Sequence, residues 1–172
     1  MKHDPLAHPE ELIKRVYAYV AYRIGDGPEA EDVTSAAFER ALRYRSSFDG
    51  RKGEPVAWLI GIARHCIADA ARPATVEHTD EAADTELEQR AAARVDLGRA
   101  LRTLDPRDQE LLSLRYGADL TARQIGDLLG MKTNAVEVAL HRALGRLREE
   151  LEREDPKPQQ AELSPAVLSS RP

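Results

Sequence analysis

Apolar side chains along this chain recur at steps of three and four, not two, so its regular elements are predicted to be helices. Leu12, Ile13, Val16, Tyr17, Val20 and Ile24 make one such stripe, opening at Pro9-Glu10-Glu11 and closing at Gly25-Asp26-Gly27. Proline suits the first turn of a helix and carboxylates suit its positive end. Pro28, Glu29, Glu31 and Asp32 repeat that opening. Val33, Ala37, Ala41 and Tyr44 follow on one face with Phe38 and Leu42 beside them, giving a second helix to about Arg45. The polar, glycine-bearing stretch from Ser46 to Gly53 reads as a loop. Pro55 then starts a third helix with Val56, Leu59, Ile60, Ala63, Ile67 and Ala70 on its apolar side.

The periodicity stops between Pro73 and Thr85, where RPATVEHTDEAADT combines proline, threonine and acidic residues in the manner of a flexible linker. Helical pattern resumes by Leu87 and runs through Val95, Leu97, Leu101 and Leu104 to Asp105-Pro106, a turn and a fresh helix start. A helix carrying Leu111, Leu112 and Leu114 ends at Tyr116-Gly117. Two more follow, Thr121 to Leu129 and Thr133 to about Leu151, separated by Gly130-Met131-Lys132. The expected fold class is therefore all-α, with two small helical domains on a flexible linker. Their expected extents are 8–72 and 95–152, with 73–94 as linker and start of the next helix, and 153–172 as a proline- and serine-rich disordered tail.

Composition agrees and removes several function classes. Of 172 residues, 32% are charged and only 5% aromatic, which suits helices better than strands. The net charge of −5 argues against a uniformly basic nucleic-acid binder, though not against local basic faces. The lone Cys66 has no thiol partner for a disulfide or a cysteine-rich metal site, and its neighbour His65 points about a hundred degrees away on a helix. No phosphate-cradling glycine loop, helical histidine pair or nucleophile motif is present, so no enzyme activity, cofactor or metal is expected. The N-terminus lacks the apolar core of a signal peptide, and no run approaches the roughly 20 apolar residues that span a bilayer. A soluble, cytoplasmic protein is expected.

The sharpest chemical signal is LTARQIGDLLGMKTNAVEVALHRALGRLREEL. Thr121 caps the first helix of the pair, Ile125, Leu128 and Leu129 are its buried face, and Gly130 makes the tight turn. Val136, Leu140, Ala143, Leu144 and Leu147 are the buried stripe of the second. Such a pair places the N-terminal side chains of its second helix in a major groove. Any antiparallel helical pair also shows a glycine turn and inward leucines. The polar residues favour DNA: Gln124 and Asn134 suit base edges or phosphates, and Lys132, His141, Arg142 and Arg146 add basic or potentially basic donors.

The run from Leu104 to Leu151 resembles the C-terminal domain of extracytoplasmic-function sigma factors, with Leu140-His141-Arg142-Ala143 followed by Arg146-Leu147-Arg148. The first half separately resembles the other sigma domain: Glu31-Asp32, Phe38, Phe48-Asp49, Trp58-Leu59, Ile62-Ala63-Arg64, Asp69 and Arg72 stand in that family's order and spacing. The resemblance implies a noncatalytic, monomeric promoter-recognition subunit. Its implied partners are bacterial core RNA polymerase, promoter DNA and an anti-sigma factor.

By the same resemblance, Asp32, Ser35, Glu39 and Arg40 dock on the polymerase's largest subunit, with Ser35 standing where many relatives carry glutamine. Phe48, Arg51, Lys52, Trp58, Arg64, His65, Asp69 and Arg72 are the implied captors of the melted downstream (minus-10) strand. Opened bases can stack on aromatic rings while cations hold phosphates. Trp58, among so many apolar neighbours on its helix, suits the core better than a base stack. Asp69 and Arg72, three apart, also suit a surface ion pair. Gln124, Lys132, Thr133, Asn134, Glu137, Val138, His141 and Arg142 face the upstream (minus-35) duplex, and the acidic linker is implied to mimic nucleic acid in the polymerase's RNA path.

One departure stands out. Relatives commonly carry lysine and arginine where this chain has Glu137 and Ala139, which weakens phosphate attraction. Glu137 repels phosphate unless it accepts a cytosine amino group. Two competing readings follow: a stand-alone helix-turn-helix regulator, which leaves the first-half motifs unexplained, and a sigma-like interaction factor with weakened DNA binding.

Overall fold

The computed structural model describes residues 4–71 and 97–154, and every regular element among them is helical. The N-terminal unit is a three-helix group: α1 (Pro9–Ile24), α2 (Pro28–Tyr44) and α3 (Pro55–Ala70). Each opens on proline, whose missing N–H costs nothing in the first turn. Gly25 ends α1 with φ of 103°, a conformation that a side chain resists.

Leu12, Val16, Tyr19 and Val20 of α1 are buried, as are Ala30, Val33, Ala37 and Ala41 of α2. The alanines give α2 a flat face that lies close against its neighbours. Val56, Leu59, Ile60, Ala63, Cys66 and Ile67 supply the third side, and each fully buried Leu or Ile contributes about 2 kcal/mol. Ile13, expected on the α1 stripe, is 45% exposed in the first turns of that helix, and three further residues expected on apolar faces, Leu42, Tyr44 and Ala70, are exposed as well. All three lie in the last turns of their helices, beyond the buried stretches that end at Ala41 and Ile67.

In the C-terminal unit, α4 is described over 97–103. Asp105 then caps α5 (Pro106–Leu112), its carboxylate accepting from the N–H groups of Arg107 and Asp108 at 2.9 and 3.0 Å. These bonds, with that of Asp108 the larger influence, hold the Asp105 carboxyl below its ordinary pKa. The helical run ends at Gly117, where the pattern predicts, but its last stretch, Ser113–Gly117, is a π turn, and Asp119 follows with φ of 52°. Next come α6 (Ala122–Leu129) and α7 (Thr133–Glu154).

The two units share one continuous apolar core. The backbone of α1 at Tyr19 lies against Gly117, where an added Cβ would sit 2.8 Å from the Tyr19 Cα. Arg15 donates to the carbonyls of Ala118 and Asp119 at 2.8 and 2.9 Å. The predicted linker over 73–94, with Leu87 and the adjoining Val95, lies outside the described residues, as do Arg72 and residues 155–172 of the predicted tail; Arg153 and Glu154, expected to open that tail, instead close α7. Among the described residues no helix is long and apolar enough to cross a membrane.

Candidate nucleic-acid interface

Thr121 caps α6 in a reciprocal box: its hydroxyl accepts from the Gln124 N–H at 3.2 Å, and the Gln124 Oε1 accepts from the Thr121 N–H at 2.8 Å. Gly130 then reverses the chain at φ of 68°. Gly126 matters as much: a Cβ there would meet the Met131 carbonyl oxygen at 2.6 Å, so only glycine allows the turn to fold back on α6. Ile125 and, on α7, Val136, Leu140 and Ala143 are buried. This is the helix-turn-helix that the sequence predicts.

With one face of α7 buried, Lys132, Thr133, Asn134, Glu137, Val138, His141 and Arg142 all stand exposed at its start and along its outer side. Positions 134, 137, 138 and 141 form a single stripe by helical spacing. Val138 is 51% exposed, unusual for an apolar residue on a packed helix. Gln124 is not free in the same way, because its amide donates to the Glu54 carboxylate of the N-terminal unit at 2.8 Å.

Arg146 is removed from the set of DNA donors. It pairs with Asp108 through both Nε and Nη2, the latter at 2.7 Å, and Asp108 is only 4% exposed. The guanidinium fork matches a carboxylate in this bidentate way. That pair ties α7 to the first turn of α5. Sequence spacing could not show it, since the partners lie 38 residues apart with α6 between them.

In the N-terminal unit, Phe48 and Trp58 are half-buried and in contact, ring centroids 5.5 Å apart and tilted by 58°. An aromatic pair of this kind offers edges to solvent while its other side packs. Asp49 organises the adjoining loop, accepting from the Arg51 N–H and Nε at 3.1 Å and from Nη2 at 3.2 Å. The Arg51 side chain, the larger influence, and its backbone N–H hold the Asp49 carboxyl below its ordinary pKa. Lys52 is exposed beside them. His65 is exposed, its Nδ1 2.7 Å from the Gly61 carbonyl oxygen, while burial of its neighbour Cys66 pushes that thiol's pKa up.

On α2, Asp32, Ser35 and Glu39 are exposed at helical spacing. Arg40, expected with them, bonds to Asp69 at 3.1 Å. Asp69 therefore has a cross-helix partner in Arg40, a pairing that the (i, i+3) spacing to Arg72 did not suggest.

Sequence reasoning missed a cluster at the junction of the units. Glu110 of α5 receives the Tyr19 hydroxyl at 3.0 Å, Arg64 Nε at 2.9 Å and Arg23 Nε at 3.0 Å, the last off the axis of a hydrogen bond. Burial, then the charge of Glu110, push the Tyr19 phenol well above its ordinary pKa, so it stays a donor. No spacing signal links positions so far apart in sequence, although an apolar stripe that includes a tyrosine is a hint.

The exposed stripe of a helix-turn-helix, joined to a second helical unit that carries an aromatic pair beside the Arg51-Lys52 loop, defines a two-part all-helical protein of the helix-turn-helix class. Residues 10–75 match the family model described as Sigma-70 region 2, and residues 100–149 match Sigma-70, region 4. The chain is similar to the ECF RNA polymerase sigma factor ShbA of Streptomyces griseus, 37% identical over 166 residues covering 85% of each chain. It is also similar to the ECF RNA polymerase sigma factor BldN of Streptomyces coelicolor, 32% identical over 148 residues. That match takes in 77% of this chain and 54% of BldN, so the chain spans about half the length of that relative. The solved sigma factor RpoE of Bartonella quintana, in complex with the anti-sigma factor NepR, has the same fold. Its TM-score is 0.62 at 18% identity, over 84% of this chain and 94% of that one. This chain belongs to the ECF RNA polymerase sigma factors.

Proposed function

We propose that this chain binds bacterial core RNA polymerase in the cytoplasm and directs it to promoters as a noncatalytic subunit. The carrying observation is that two distinct sigma regions occur in one chain in promoter-reading order, the second with its recognition stripe exposed. Asp32, Ser35 and Glu39 of α2, with Arg40 behind them in its bond to Asp69, form the polymerase-facing surface. Phe48, Trp58, Arg51, Lys52, Arg64, His65, Asp69 and Arg72 hold the opened downstream strand. Capture of unstacked bases on the aromatic pair offsets part of the cost of melting.

The upstream duplex meets Gln124, Lys132, Thr133, Asn134, Glu137, Val138, His141 and Arg142. Glu137 at the centre of that stripe makes upstream binding weak in phosphate attraction and dependent on base edges, a cytosine amino group being the natural partner of its carboxylate. An anti-sigma factor that covers both units is the expected inhibitor.

Run-off transcription with purified core polymerase, with and without this protein, on a pool of promoter fragments tests the reading. Discrete new start sites sharing paired upstream and downstream elements are expected. Polymerase binding without initiation would favour a sigma-like regulator, and DNA binding as a dimer without polymerase would favour a stand-alone helix-turn-helix regulator.

A further inference from the structure

Each of the three groups that hold the Glu110 carboxylate, Tyr19, Arg23 and Arg64, comes from the N-terminal unit, whereas Glu110 itself comes from the C-terminal one. A neutral donor and two guanidinium groups converging on one point make an oxyanion site, and Arg64 belongs to the face just assigned to the opened strand. The carboxylate is 13% exposed, and a cavity of about 270 Å³, lined also by His65 and Ile67, opens beside it. A backbone phosphate, like a carboxylate, carries one negative charge and offers two terminal oxygens that a guanidinium can grip.

We propose that Tyr19, Arg23 and Arg64 form a binding site for a DNA backbone phosphate, and that Glu110 occupies it in the closed chain as a built-in competitor. The inference rests on the promoter reading above and adds its regulation: the single strand gains this site only when the two units part. Two further contacts hold the units in register. Gln109, next to Glu110, donates its amide to the Arg23 carbonyl at 3.2 Å, and Gln124 of the upstream reader donates to Glu54 at 2.8 Å. Closure therefore engages a residue from each of the two DNA-reading surfaces. A separate feature makes the closed form sensitive to a single methyl group, because Gly117 abuts the α1 backbone so tightly.

The test uses the full chain and a fluorescein-labelled single-stranded oligothymidylate, with binding followed by anisotropy and shape by small-angle X-ray scattering. Glu110→Gln removes the competing charge at nearly constant volume. Gly117→Ala opens the junction by a different route, a collision with Tyr19, and leaves Glu110 and the arginines intact. Both variants are expected to show a larger radius of gyration than the parent and to bind the strand about three- to tenfold more tightly at low salt. Adding Arg64→Ala to either should remove the gain. Equal affinity of the parent and both variants, or expansion without tighter binding, overturns the competitor role. Failure of the parent to support polymerase-directed initiation in the run-off assay would instead sink the promoter reading, so the two failures are told apart.

Discussion

Breaking the pair between Asp108 and Arg146 should cost very different amounts depending on which partner is removed. Asp108 is 4% exposed, whereas the Arg146 side chain is 47% exposed. Arg146→Ala therefore strands a buried carboxylate, a change that costs about 3–5 kcal/mol at a fully enclosed site. Asp108 sits in the first turn of α5, whose positive end compensates part of that charge, so about 2–4 kcal/mol is expected. Asp108→Asn leaves a guanidinium that turns to water, and should cost about 1–2 kcal/mol. Urea unfolding of the parent, both single variants and the double variant gives the cycle, with a coupling energy above about 1 kcal/mol expected. The same proteins, titrated with duplex DNA across a salt series, should show an unchanged salt slope, since Arg146 is spent on structure. The reasoning is refuted if Asp108→Asn is the costlier change, or if Arg146→Ala lowers the salt slope by about one phosphate contact.

Three other perturbations probe separate features. Glu137→Lys exchanges a repelled charge for an attracted one on the exposed stripe, so duplex binding at low salt should tighten and the salt slope should steepen by about 0.9; an unchanged affinity would place Glu137 away from the phosphates. Gly126→Ala should destabilise the C-terminal unit by about 1–3 kcal/mol, read as a lower urea midpoint, because its Cβ cannot coexist with the Met131 carbonyl oxygen. Asp105, with its folded pKa lowered, stabilises the chain above the unfolded carboxylate value and loses that contribution as pH falls through the folded one. Circular dichroism should therefore show Asp105→Ala to be less stable than the parent near neutrality, with the gap closing in acid below about pH 4.

The helices were legible because their signals are local. Proline openings at Pro9, Pro28, Pro55 and Pro106, the capping threonine at 121 and the glycine at 130 lie within a turn of the feature each one creates. The exposed stripe of α7 followed from the same logic, since knowing the buried side fixes the other. Arg146 was misread because its partner is a residue of another helix, and charge on an amphipathic helix looks the same in sequence whether it meets solvent, DNA or a buried carboxylate. Leu42 and Tyr44 were misread because periodicity continues past the point where a packing partner ends. The π turn left no mark either: SLRYG reads as the ordinary close of a helix.

That turn and the junction explain one another through backbone hydrogen bonding. Extending α5 by a π turn and passing through Asp119 at positive φ turns the carbonyls of Ala118 and Asp119 away from any helical donor, and the side chain of Arg15 supplies both. Helix α1 ends with carbonyls that also lack helical partners, and Gln109 supplies donors to those of Tyr22 and Arg23 at 3.4 and 3.2 Å. Each unit thus satisfies acceptors that the other leaves open. These polar bonds rim a junction whose centre is the shared apolar core: the carbonyls they serve can turn to water when the units part, while the apolar surface uncovered there opposes opening, so separation needs a ligand to compensate it. An interface of that kind suits units that hold each other while free and separate when a nucleic acid offers phosphates in place of Glu110.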